Sequence, residues 1–308
     1  MKAFADVHIH NFLSNCSRDR SATAENFIRR YAELGIKTIG FANHIWDDRV
    51  DGANDWYHKQ NLAFSMQIKN QIPKDTCGVR VLVGAETEFC GMTKTLGMSA
   101  EGAKELDFLL IPHSHVHMRN FVMPHIPEVL AARKRIERRL IEELGINEDK
   151  AAEMAKQLKQ KDLEPFFEGE RTDYPKYVAD FLVQSFEDLM NHPELAKILQ
   201  LIPVSIAHPF QPVGDGNREA EILAHISDET FHRLFGLAAK KGVGLEINTR
   251  CHQPHLLRLC KIAKEEGCKF TLGSDTHSIQ GAKNIFETEK TIEALQLTEE
   301  DMMEFIRA

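Results

Sequence analysis

The chain has no apolar run of the roughly 18 residues that a membrane-spanning helix requires, so no membrane partner is expected. Its first residues, Met1-Lys2-Ala3-Phe4-Ala5-Asp6, turn polar before the apolar core of a secretory signal could form, and a cytoplasmic location is expected. An excess of positive charge is also missing: 38 Lys and Arg against 46 Asp and Glu leave a formal charge of −8. Phosphate-backbone binding draws on clustered cations, so no nucleic-acid partner is expected. The one basic run, Arg133-Lys134-Arg135 with Arg138-Arg139, is interleaved with Glu128, Glu137, Glu142 and Glu143 at helical spacing and reads as a salt-bridged, solvated helix face. Six cysteines (Cys16, Cys77, Cys90, Cys251, Cys260 and Cys268) are scattered without a CxxC pair, in a chain long enough to dispense with disulfides. Free thiols are expected, and the lack of paired cysteines argues against a structural zinc. Sequence repeats and low-complexity stretches are absent too.

What is present is an ordinary globular composition, 43% hydrophobic and 27% charged over 308 residues, which predicts one domain of barrel size, spanning 1–308, or two small ones. Short β-branched or apolar runs alternate with segments of helical period, the pattern of βα units on a parallel sheet. Seven strands are predicted: Phe4–His8, Thr38–Ala42, Arg80–Ala85, Phe108–Ile111, Pro203–Ala207, Gly242–Ile247 and Lys269–Leu272. A helix over Ala22–Leu34 stops at Gly35, and Gly242 and Gly267 close two further helical segments. The segment 120–201 breaks this rhythm, being long, charged and helical, and is predicted as an insertion between the fourth and fifth strands. It is expected to act either as a lid or substrate-shaping element over the site, or as a packing or dimerisation appendage.

Fifteen histidines are the compositional oddity, and their placement is informative. The carboxyl ends of the predicted strands carry Asp6, His8 and His10, then His44, Glu86, His113 and His115, His208, Glu246 with Asn248, and Asp275 with His277. In a parallel α/β fold those ends converge on one face, so residues far apart in the chain meet in one pocket. Within Asp6-Val7-His8-Ile9-His10, positions 6, 8 and 10 share one side of a strand. Imidazole and carboxylate donors suit zinc, manganese or iron, and point to a catalytic metal site. His58, His192, His225 and His232 lie in helical stretches and are expected to be structural; His117 and His125 read as solvent-facing loop residues or weak substrate contacts.

These motifs resemble the PHP (polymerase and histidinol phosphatase) domain family: Asp6-Val7-His8-Ile9-His10, Asn43-His44 where the family usually has Asp-His, Gly84-Ala85-Glu86, Ser114-His115, His208-Pro209 and Ser274-Asp275-Thr276-His277, in family order over nearly the whole chain outside the insertion. The resemblance implies an α/β fold of the distorted (β/α)7 barrel kind and a trinuclear site with two to three divalent ions (Zn, Mn or Fe). It implies His8, His10, Glu86 and Asp275 around one ion, Glu86 bridging to a second held by His115 and His208, and a third using His44 and His277. Where the family often has a further histidine, this chain has Cys16; Cys16 or Asp19 could complete the third site, or that site could be weak. The resemblance favours His115 as the ligand in Ile111-Pro112-His113-Ser114-His115-Val116-His117, with His113 as the rival.

Two or three divalent ions close together acidify a bridging water and neutralise a phosphoryl group, so the expected activity is hydrolysis of a small phosphomonoester by a metal-bridging hydroxide. Glu86 and Asp275 are the expected catalytic carboxylates, together with Asp6, which is better placed to orient a ligand histidine than to ligate. A phosphate calls for a bidentate cation, and Arg250, directly after the sixth strand, is the expected substrate-binding residue, ahead of Arg18, Arg20 and Arg119. Glu246 reads as a carboxylate hydrogen-bonding a loop. Histidinol phosphate is the nearest named substrate that the resemblance implies, and self-association is left open. Two alternatives remain: an amidohydrolase-type barrel cleaving C–N bonds, which would want an eighth strand, and a non-catalytic metal-binding sensor.

Overall fold

Strand β1 (Ala5–Ile9) is buried along its whole length, as expected of a strand covered on both faces rather than one alternating between core and water. The structure is a computed structural model that describes residues 1–169 and 171–307, the side chains of 160 and 161 aside. After β1 come β2 (Thr38–Phe41), β3 (Arg80–Val83), β4 (Ala85–Glu86), a small antiparallel pair β5 (Phe89–Cys90) and β6 (Thr95–Leu96), then β7 (Leu109–Leu110), β8 (Val204–Ile206), β9 (Gly244–Asn248) and β10 (Phe270–Gly273). All seven predicted segments carry strand. The β5–β6 pair was not anticipated, because two-residue strands leave no periodicity to read.

The strands form two parallel sheets, one ordered β1-β2-β3 and one β10-β9-β8-β7-β4. Gly84 separates β3 from β4; a Cβ there would lie 2.5 Å from the Phe108 ring, and one on Gly40 of β2 would lie 2.7 Å from it. Phe108 therefore fills the space that these two glycines leave. Single parallel bridges link the sheets, His44 to Glu86 on one side and Ile9 to Thr276 on the other. The expectation of a seven-strand barrel is thus met only as a mixed α/β fold with parallel sheets. At the seam between β1 and β10, Ser274 N donates to the Asp6 carboxylate at 3.1 Å, so a side chain stands where a continuous backbone ladder would run.

Helices cover the sheets for local reasons. In helix Ala24–Glu33 the Thr23 hydroxyl caps Asn26 N, Phe27, Ile28 and Tyr31 are buried, and the chain exits through Gly35 at φ 78°. Within segment 120–201, helix Tyr174–Met190 buries Leu182, Phe186 and Leu189 in the same core as the strands. Helix Pro127–Leu144 packs instead on a separate small cluster of Ile126, Val129, Ala132 and Leu163. Glu170, in the same segment, lies outside the described residues. The basic run is engaged internally: Arg139 pairs with Glu143 at 2.9 Å, and Arg133 and Arg135 donate to the carbonyls of Leu158 and Phe166. All six cysteines are free thiols, and no helix among the described residues is long and apolar enough to cross a membrane.

Candidate metal centre

Because the main strands run parallel, their carboxyl ends open on one face, and Glu86 at the end of β4 stands at its middle. Its Oε2 lies 3.3 Å from His8 Nε2, 3.3 Å from His10 Nε2 and 3.2 Å from His44 Nδ1. Its Oε1 lies 3.1 Å from His208 Nε2 and 4.0 Å from His115 Nε2. Asp275 closes the other side, with Oδ1 at 3.2 Å from His10 Nε2 and 3.7 Å from His8 Nε2. His277 stacks on His10 at 4.5 Å between ring centroids, and His44 on the same ring at 4.7 Å.

Four groups of three residues place their donor atoms within 4.8 Å of one another: His8, His10 and Asp275; His10, His44 and Glu86; Glu86, His115 and His208; and His10, Cys16 and His277. All eight residues expected as ligands are brought together. The backbone is strained where two of them are presented: His208 has φ 30° and Asp275 φ 49°, left-handed values that cost of order 1–3 kcal/mol each in residues with a side chain.

Two buried carboxylates behind the cluster set its tautomers. Glu246 Oε1 meets His8 Nδ1 at 2.7 Å, while its Oε2 accepts from His208 N at 2.7 Å, which is the loop hydrogen bond expected of it. Glu88 Oε2 meets His115 Nδ1 at 2.7 Å and accepts from the Tyr57 hydroxyl at 3.2 Å. Each pins one ring nitrogen so that Nε2 faces Glu86. Sequence reasoning missed Glu88, although its signal was there: Glu86-Thr87-Glu88 is the same one-sided alternation seen in the HxH motif. Glu88→Gln is expected to weaken metal affinity by roughly 10–100-fold, the usual cost of losing such a partner, with metal titration as the check. Unchanged affinity would mean that His115 needs no such support.

The electrostatics follow from burial set against charge. Burial opposes protonation of His8 and His10, yet the carboxylates of Glu246, Glu86 and Asp275 around His8, and Cys16, Asp275 and Glu86 around His10, raise both well above the ordinary imidazole range. His115, despite its burial, is raised to about 9 by Glu88 and Glu86. Burial likewise opposes ionisation of Glu86, but His44 and His8 hold it well below the usual carboxylate range. The chain alone thus gathers protons onto imidazoles around carboxylates, and a divalent cation would replace those protons.

The open alternatives separate in space. Cys16 adjoins His10 and His277, and its half-buried thiol is drawn far below the usual range by His10 and His44. Asp19 turns away, accepting from Ser21 and from Ile279 N. His113 stays out of the cluster: Nε2 accepts from Phe210 N at 3.2 Å, and the rings of Phe186 and Phe210 flank it. Asp6 reaches neither the cluster rings nor the cavity; it accepts from His8 N, Ser274 N and the Tyr31 hydroxyl, tying β1 to residue 274, and burial lifts its pKa to about 6. From there its carboxylate acts on the strand ends and stands apart from the donor groups of the cluster. Asn43 pairs with Asn11 in a buried amide clamp beside His44.

A cavity of about 880 Å³ opens on the cluster. Arg250 lines it, with Nη1 at 3.1 Å from Asp275 Oδ2 and Nη2 donating to the Asp275 carbonyl and to His277 Nδ1. Arg119, His117 and His125 line it as well, whereas Arg18 and Arg20 are exposed away from it. His58, His192 and His232 stand apart, beside Asp55, at the start of helix Pro193–Ile198 and on Glu266 respectively.

No protein-family model matches this chain, and no curated protein does. Among solved structures it is similar to histidinol phosphate phosphatase from Lactococcus lactis subsp. lactis Il1403, complexed with zinc, L-histidinol and phosphate: TM-score 0.57, 17% identity, 96% of this chain and 94% of that one covered. At that identity the likeness is one of fold. An HpcH/HpaI aldolase from Desulfitobacterium hafniense DCB-2 also aligns, over 96% and 94% of the two chains and with 14% identity, but its TM-score of 0.32 carries no argument.

Proposed function

We propose that the chain is a metal-dependent phosphomonoesterase of PHP type, in which residues 1–308 form one strongly distorted seven-strand barrel with 120–201 as its helical insertion. One observation carries this reading. Three fully buried imidazole nitrogens, His8 Nε2 and both ring nitrogens of His10, have no hydrogen-bond partner, although the cluster surrounds them with carboxylates. Each unpaired buried polar atom costs about 1–3 kcal/mol, and a cation held by His8, His10, Glu86 and Asp275 would engage the two Nε2 atoms among them. The zinc, L-histidinol and phosphate of the Lactococcus structure support the same chemistry.

The donor set fits zinc, manganese or iron. His8, His10, Glu86 and Asp275 would hold one ion, Glu86, His115 and His208 a second, and His44 and His277 with Cys16 a third. Two or three such ions would supply an acidified water and the positive charge that a phosphoryl group under attack requires. The protein's own part is positional. Glu246 and Glu88 fix the imidazoles, and Asp6 holds the two strand ends in register. Arg250, which lines the cavity with its guanidinium against Asp275 and His277, is the residue for a phosphoryl oxygen. A small phosphate ester is therefore the partner in this reading, acting in the cytoplasm without nucleic acid or membrane, and histidinol phosphate is the reference substrate.

Arg250→Ala is expected to raise KM for a phosphomonoester by roughly 10–100-fold, the size of one or two charge-assisted hydrogen bonds, with Arg250→Lys recovering only part of it. An unchanged KM in both variants would remove Arg250 from the binding site. The reading as a whole is tested by metal analysis of protein purified without chelator, followed by a phosphomonoester screen. Two to three ions per chain and measurable turnover are expected. Protein that holds at least two ions and hydrolyses none of the esters overturns it.

A further inference from the structure

The cavity is far from uniform once it leaves the metal cluster. His44 meets Trp56 edge to face at 4.9 Å between centroids, Trp56 meets Tyr57 at 4.8 Å, and Phe121 follows Tyr57 at 6.0 Å. A row of rings thus begins on a residue of the cluster and leads away from it; Tyr57 is its buried link, Trp56 and Phe121 are the rings left to the cavity, and Met118 and Val213 add apolar surface. Trp56 remains 37% exposed, a large indole held at the cavity with much of its surface uncovered. Flat rings of this kind recover most when another ring or apolar group covers them.

Charge in the lining has one sign beyond the cluster. Among the described lining residues, the carboxylates are Glu86 and Asp275, both within the cluster, and the fixed charges outside it are Arg119 and Arg250. Asp215 is not among the lining residues; it pairs with the Arg119 guanidinium at 3.4 Å and accepts from the Tyr174 hydroxyl. His125, pushed down to about 4 by burial and by Arg133 and Arg119, is neutral near pH 7. An ammonium group entering this space would meet two guanidinium groups and no free carboxylate.

We propose that the cavity selects phosphomonoesters whose organic group is flat, apolar and without positive charge, an aryl or benzylic phosphate, and disfavours amine-bearing esters. The proposal rests on the phosphoesterase reading only in placing the phosphoryl group at the cluster. Its substrate class departs from an amino alcohol phosphate, because the wall offers ring faces where such a ligand needs an anion.

Calorimetric binding of non-hydrolysable phosphonates to the zinc-loaded protein tests the proposal without relying on turnover. Benzylphosphonate is expected to bind at least roughly tenfold tighter than methylphosphonate, as one well-covered ring should provide, and Trp56→Ala and Phe121→Leu should each erode that advantage. The near-isosteric pair 4-(hydroxymethyl)- and 4-(aminomethyl)benzylphosphonate isolates charge, and the hydroxymethyl compound should bind tighter. Equal or tighter binding of the amine overturns the proposal, since the rings would then be serving as a cation-binding face. So does an advantage of the ring that survives both substitutions, or failure of every phosphonate to bind. Turnover separates the two readings. Zinc-loaded protein with this preference but no hydrolysis of any ester defeats the phosphoesterase reading alone, whereas faster hydrolysis of histidinol phosphate than of benzyl phosphate defeats the substrate class alone.

Discussion

Glu86→Gln is expected to leave the protein unable to hold its full complement of divalent ions and to lower phosphomonoester turnover by roughly 10³-fold or more, equivalent to about 4 kcal/mol of transition-state stabilisation. Among the described residues no other has both side-chain oxygens engaged in this way: Oε2 faces His8, His10 and His44, and Oε1 faces His208 and His115. Glutamine keeps the volume but exchanges the charge for a neutral amide and turns an NH2 toward at least one imidazole. Two of the four donor groups include this carboxylate, and removing its charge also takes one counter-ion from the buried imidazoles around it. The checks are metal content and steady-state turnover measured on the same preparation. Full metal content with turnover within tenfold of the parent would show that Glu86 is not the centre of the site.

The second large effect concerns the histidine that the cluster leaves out. Burial, reinforced by the neighbouring His208 and His115, lowers the His113 pKa from 6.5 to about 3, so the ring is neutral in the folded chain. For a group whose folded pKa is depressed, the stability it contributes is fully present above the unfolded value. That contribution is lost as pH falls from 6.5 toward 3, because the unfolded chain takes up a proton that the folded one refuses. At pH 4.5 the loss is about 2–3 kcal/mol. Replacing His113 with phenylalanine removes this penalty but leaves Phe210 N without its acceptor, a cost of about 1–3 kcal/mol. His113→Phe should therefore be less stable than the parent at pH 7, with the deficit closing or reversing near pH 4.5. Urea denaturation of both proteins in chelator at the two pH values reads this directly, because every other titration cancels in the comparison. A deficit of the same size at both pH values would mean that His113 is protonated in the folded state.

How much of the site is legible in the chain depends on the range over which each feature is decided. The ligand-type residues could be picked out because each stands immediately after a short apolar run, and a parallel sheet gathers all such positions on one face. One-sided placement of His8 with His10 follows from the two-residue period of a strand. Choosing His115 over His113 was less accessible, since both lie on the same side of the same short segment. The two part only in space, where Glu88 meets the His115 ring and Phe186 and Phe210 flank His113. Cys16 and Asp19 could not be ranked either, because both belong to one irregular loop whose path is set by contacts with residues near 277 and 279.

By itself, the sequence determined the alternation of strands and helices, the seven strand positions, and the set of imidazoles and carboxylates at their ends, all of which are properties of a few consecutive residues. Only the tertiary structure decided that the strands sit in sheets of three and five, with Asp6 at the seam between β1 and β10. Only the tertiary structure, too, paired Glu246 with His8 across 238 positions and set an aromatic wall against His44. The physical reason is range. Backbone periodicity and turn chemistry act between near neighbours, whereas the tautomer of a buried ring, its pKa and the ligands its cavity can accept depend on whatever charge or surface packing brings beside it.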